Sequence, residues 1–222
     1  MMSAAHLAGQ LLVVGFPGQT IPTPLADSLR RGERGGLILF RPNIAPELAA
    51  TAALVASAAA LAPGGEPLLV GIDQEGGRVQ RLGPPTLRVP PLATVGATGD
   101  AELARALGRR QGEELAALGV TMNFAPVLDV HTRPENPIIG DRSFGADAAV
   151  VARLGVAYGE GLEEGGVAPC GKHYPGHGDT SLDSHVELPR VDKRRDELEA
   201  AELVPFRAAA RAGMAALMSA HV

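Results

Sequence analysis

The chain has 222 residues, of which 45% are apolar, so it is long enough and apolar enough to bury a sizeable core, and a disordered chain is not expected. Its formal charge is −5, from 20 basic and 25 acidic residues, and no basic stripe runs through it, which argues against a nucleic-acid-binding surface. A lone cysteine, Cys170, rules out an internal disulfide framework; inside the apolar run Val167-Ala168-Pro169-Cys170 it reads as a small buried hydrophobe.

In chain order, the apolar N-terminus has no Lys or Arg ahead of it and reads as a helix and then a strand at Leu11 to Gly15, not as a signal peptide. Gly36 to Phe40 reads as a second strand, bounded by glycines and Pro42. Pro46 to Leu61 follows as an Ala-rich helix, ended by Pro63-Gly64-Gly65. The segment Leu48 to Pro63 is too weakly apolar to span a bilayer, so no membrane partner is expected and the cytoplasm is the expected location. Leu68 to Asp73 is a third strand, and Ala101 to Leu118 a helix capped by Asp100. Thr121 to Val130 is a fourth strand running into a loop. Ala148 to Glu164 is a helix capped by Asp147 and closed by Gly165-Gly166. Ala168 to His173 is a fifth strand, Asp192 to Ala212 a helix, and Ala215 to Val222 a sixth strand.

Nearly continuous apolar strands alternating with helices predict an α/β fold around a parallel sheet covered on both faces. Asp73, Asp129, Lys172-His173 and His221 all fall just after strand ends. Chemistry spread over many strand ends fits a TIM (β/α)8 barrel better than a doubly wound sheet, which gathers it at one switch point. No GxGxxG follows a strand, and no cofactor is expected.

The densest chemistry lies in Gly171-Lys172-His173-Tyr174-Pro175-Gly176-His177-Gly178-Asp179-Thr180 and onward through Ser181-Leu182-Asp183-Ser184-His185. Its glycines and proline exclude a regular helix. Pro-Gly between His173 and His177 removes the helical spacing of a two-histidine metal site, so no metal is expected. The other reading is acid/base chemistry by an Asp-His pair, for which Asp183 and His185 lie close enough in a turn.

The segment KHYPGHGDTSLDSH resembles the signature loop of the β-N-acetylglucosaminidase branch of glycoside hydrolase family 3, KHFPGHGxxxxDSH, with Tyr174 in place of Phe. Three further segments agree in order: Asp73 to Arg81 (DQEGGRVQR), Asn123 to Val130 (NFAPVLDV) and Asn136 to Gly145 (NPIIGDRSFG). The resemblance implies a (β/α)8 barrel and retaining hydrolysis of terminal β-linked N-acetylglucosamine, from muropeptides or chitin-derived sugars. It implies His185 as acid/base, paired with Asp183, and sugar contacts from Asp73, Arg81, Arg142, Lys172 and His173. With no Trp in the chain, a sugar would be held mainly by hydrogen bonds.

Arg142 has a second reading, as the clamp of a carboxylate such as Asp73, and Glu75 reads as structural. Lys172 and His173 are adjacent, so a regular strand would point them to opposite faces; for both to touch substrate, the strand must bend, for instance at a bulge. A histidine acid/base does not repel an anionic nucleophile, so a phosphorylase on the same site is the alternative. A truncated, non-catalytic sugar-binding fragment is the other.

The family nucleophile is an aspartate in a TDDL-like segment of the seventh strand. Met218-Ser219-Ala220-His221-Val222 resembles the family's sixth strand, so the chain is expected to supply about the first six strands of a C-terminally incomplete barrel domain over residues 1–222, whose partner would be the rest of that barrel. About 250 residues make a complete barrel.

Overall fold

The structure, a computed structural model, describes residues 3–65, 67–180 and 193–221. Six strands form one parallel sheet in sequential order: β1 (Val13–Val14), β2 (Gly36–Leu39), β3 (Leu69–Ile72), β4 (Met122–Asn123), β5 (Ala168–Tyr174) and β6 (Ala216–Ser219). Each strand pairs with the next one in sequence, with helices between: a partial (β/α)8 barrel rather than a doubly wound sheet.

The helices are α1 (Ala4–Gly9), α2 (Thr23–Arg30), α3 (Leu48–Ala59), α4 (Leu92–Thr98), α5 (Ala101–Ala117), α6 (Ala148–Glu164), α7 (Arg195–Ala200) and α8 (Leu203–Arg211). Asp100 and Asp147 cap α5 and α6 as expected, each accepting two backbone N–H groups through its side chain. Two further helices, α2 and α4, are additions to the expected elements; both are short, and each starts directly after a proline, Pro22 and Pro91.

Two expected elements are divided. The fourth strand pairs with β3 only at Met122–Asn123. Beyond Asn123 the chain still follows β5, through Cys170 N–H to Ala125 O (2.9 Å), Lys172 N–H to Pro126 O (3.1 Å) and Leu128 N–H to Lys172 O (2.6 Å). Pro126 has no N–H to offer a ladder. The expected helix from Asp192 to Ala212 is broken between α7 and α8, where Ala201 leaves helical geometry (φ −131°, ψ −73°). Pro205 lies four residues on, and its ring would clash with the Ala201 carbonyl in a continuous helix.

One core cluster packs Leu37, Leu39, Val70 and Ile72 of the sheet against Leu29, Leu54, Val55 and Leu115 of the helices. A second packs Val127, Val130, Ile139 and Phe144 against Leu154, Tyr158 and Leu162 of α6. Helices α5 and α6 touch through glycines: a Cβ on Gly161 would lie 2.1 Å from the Arg105 carbonyl oxygen, and one on Gly108 would lie 2.3 Å from that of Tyr158.

Candidate active site

The loop after β3 brings the first site residues together. Gly76 (φ 123°) and Gly77 (φ 53°) occupy backbone conformations that side chains disfavour, letting the chain double back so that Glu75 N–H reaches Val79 O at 2.9 Å. The buried Gln74 side-chain oxygen accepts from Arg81 N–H (2.8 Å) and Leu82 N–H (3.0 Å). Arg81 is thereby returned to the strand end, where its Nη2 donates to Asp73 Oδ2 at 3.1 Å. Asn123, at the end of β4, ties in the same turn: it accepts from Gln74 N–H and donates to Gln74 O.

Lys172 comes from β5, and its Nζ lies 2.7 Å from Asp73 Oδ1 and 2.6 Å from Glu75 Oε1. Arg142 grips Glu75 with both arms of its fork, Nε to Oε2 and Nη2 to Oε1, each at 2.8 Å. The carboxylate held by Arg142 is therefore Glu75 and not Asp73. Burial pushes the Glu75 carboxyl up, but Lys172 and Arg142 outweigh it and hold it at about 2.

Lys172 and His173 line the same pocket. The pairing of β5 with β6 shifts register between Lys172 and Tyr174, which interrupts the alternation that would send them to opposite faces. The peptide bond between the two residues is cis. His173 Nδ1 lies 2.7 Å from Oδ2 of the fully buried Asp129. Asp129 Oδ1 accepts the backbone N–H of His177 (2.7 Å) and of His173 (3.3 Å). Burial works against the charged Asp129, yet His173 and the two N–H donors hold its carboxyl below the ordinary range. His177 is buried, and Thr180 Oγ1 lies 2.6 Å from its Nδ1. Desolvation lowers its imidazole. Asn136 fastens the loop by donating to His177 O at 2.7 Å.

Asp73, Arg81, Arg142, Lys172 and His173 thus converge on one pocket of about 460 Å³, together with Glu75, His177, Phe124 and Met218. That is the size range of small-ligand sites. Asp183 and His185 lie outside the described residues. The Asp129–His173–His177 cluster was not read from the sequence, because nothing local marks Asp129 as the partner of a histidine 44 residues away. A groove of about 530 Å³, lined by Tyr174, Phe206 and Leu217 together with Arg195, Glu199 and Arg207, has a largely apolar wall and contains none of the expected site residues.

Parallel β-α units with a charged pocket at the strand ends define a partial (β/α)8 barrel whose site lies at the C-terminal face of the strands. Residues 6–222 match the glycosyl hydrolase family 3 N-terminal domain, and the chain belongs to that family. Over 195 residues it is 44% identical to the β-hexosaminidase of Neisseria meningitidis serogroup C (strain 053442), covering 85% of this chain and 53% of that protein. It is 46% identical over the same length, with the same coverage, to the β-hexosaminidase of Thiobacillus denitrificans. The chain therefore spans about half the length of these relatives. A solved family 3 β-N-acetylglucosaminidase from Paenibacillus sp. str. FPU-7 superposes with a TM-score of 0.96 at 45% identity, covering 100% of this chain and 42% of that one. NagZ from Neisseria gonorrhoeae, solved in complex with N-trifluoroacetyl-D-glucosamine, superposes at 0.89 with 38% identity, covering 95% of this chain and 63% of that one.

Proposed function

We propose that this chain is the N-terminal part of the catalytic barrel of a retaining exo-β-N-acetylglucosaminidase, which removes terminal β-linked N-acetylglucosamine from peptidoglycan-derived or chitin-derived sugars. The observation that carries the reading is Lys172 Nζ held between Asp73 and Glu75, at 2.7 and 2.6 Å, with Arg81 and Arg142 on either side, in a pocket of sugar size. A sugar hydroxyl is both donor and acceptor. Asp73 offers the acceptor, and Lys172, Arg81 and His173 offer donors from fixed positions. Support also comes from the family relative solved with an N-acylated glucosamine.

In this reading His185, oriented by Asp183, donates a proton to the leaving oxygen and then takes one from the incoming water. The nucleophilic carboxylate comes from barrel segments beyond the sixth strand. Among the described residues no helix is long and apolar enough to cross a membrane.

Two measurements test the reading. N-acetylglucosamine should bind the 222-residue chain with Asp73-dependent affinity, and an unchanged affinity in Asp73→Ala would reject the pocket. In the complete barrel, His185→Ala should lower turnover of an aryl β-N-acetylglucosaminide by roughly 100-fold or more. Near-normal turnover would reject the acid/base role, and stimulation by inorganic phosphate with release of sugar 1-phosphate would replace hydrolysis by phosphorolysis.

A further inference from the structure

A smaller pocket of about 140 Å³ is lined by Arg41 of the 3₁₀ turn Arg41–Asn43 and by residues of the loop after β3. Four arginines line it, Arg41, Arg78, Arg81 and Arg88, with Gly77, Gln80, Leu82 and Gly83 completing the wall. No acidic side chain lines it, although the chain as a whole is acidic.

The four differ in what already satisfies them. Arg78 is held by the Ile138 carbonyl at 2.6 Å and by Asp141 at 3.2 Å. Arg41 donates to the Gln80 carbonyl at 3.1 Å. Among the described residues, neither Arg41 nor Arg88 has a carboxylate partner. Arg81 spends one terminal nitrogen on Asp73, but its Nε is buried and has no hydrogen-bond partner among the described residues. Arg78 and Arg81 are thus partly neutralised, whereas Arg41 and Arg88 are exposed and keep their guanidinium forks open to an oxyanion, whose oxygens the planar fork matches. Liquid water takes up about 30 Å³ per molecule, so a pocket of this size suits a small ion and is too small for a sugar ring.

We infer that the Arg41–Arg78–Arg81–Arg88 pocket is a binding site for a small oxyanion of the phosphate or carboxylate type. It shares Arg81 as a common wall with the sugar-sized pocket. Oxyanion binding there depends on the arginines and not on the ligand of the sugar-sized pocket.

The test is a titration of inorganic phosphate into the 222-residue chain at constant ionic strength, followed through the arginine Nε–H resonances. Saturable shifts are expected, with affinity lowered by about tenfold or more in Arg41→Gln/Arg88→Gln. Arg88→Lys, which keeps the charge and loses the fork, should fall between the two. Thermal unfolding of each variant checks that the fold is retained. Inorganic phosphate and N-acetylglucosamine 6-phosphate, titrated in parallel, separate a free ion from an acidic group carried on a sugar. Arginine-dependent binding of either supports the site. Equal affinity in wild type and double variant for both ligands, or the same shifts from chloride at matched ionic strength, overturns it.

Discussion

The ammonium of Lys172 stands 2.6 Å from a carboxylate oxygen of Glu75, and their side chains are 3% and 1% exposed. Glu75 is also gripped by Arg142, and Lys172 also reaches Asp73, so one buried lysine joins the carboxylate that braces the site to the one that faces its pocket. Removing one partner of such a pair leaves an uncompensated buried charge.

Lys172→Met should therefore destabilise the chain by about 3–5 kcal/mol, read as a lower urea midpoint. Glu75→Gln should also destabilise, and the double variant by less than the sum, because the two changes remove one shared interaction. Additive losses would show that the pair is not coupled.

The same carboxylate sets an acid limit. Its folded value of about 2 lies below the ordinary 4.5, so its contribution is fully present above pH 4.5 and is lost as pH falls toward 2. The depression corresponds to roughly 3 kcal/mol. Unfolding free energy should decline across that window, and Glu75→Gln should flatten this part of the decline while lowering stability at neutral pH.

The contact between α5 and α6 depends on small residues. Gly161→Ala should cost about 2–3 kcal/mol, because its Cβ would meet backbone atoms of Arg105 that can move only if the helices part. Gly83→Ala, where a Cβ would meet nothing within 4 Å, should shift the melting temperature little. Equal effects in the two variants would contradict this packing.

Burial pushes the Cys170 thiol up to about 11. At pH 8 the native chain should react with a disulfide reagent much more slowly than the chain in denaturant. Fast native labelling would mean that β5 opens readily.

The sequence was most legible where interactions are short in range. Asp100 and Asp147 are separated from the N–H groups they accept by two or three residues, so the caps could be read directly. The apolar runs marked all six strands for the same reason. Good helix formers on both sides of Pro205 make Asp192 to Ala212 look like one helix, and the break at Ala201 shows only in the fold. The apolar run of the fourth strand likewise continues past Asn123, where pairing with β3 ends.

Side-chain partners at the site were not legible in that way. Arg142 and Glu75 are 67 residues apart, and Lys172 and Asp73 are 99 apart. From the sequence, Arg142 could equally have held Asp73; the turn at Gly76-Gly77 and the reach of the 3₁₀ turn Gly140–Arg142 decide for Glu75. The β-α alternation, the family and the residue types that carry charge depend on local spacing and on motif strings, and so are legible along the chain. Which charges meet depends on the packed fold. The barrel brings the ends of separate strands to one face, and within it each buried charge takes the counter-charge that geometry puts within hydrogen-bond reach.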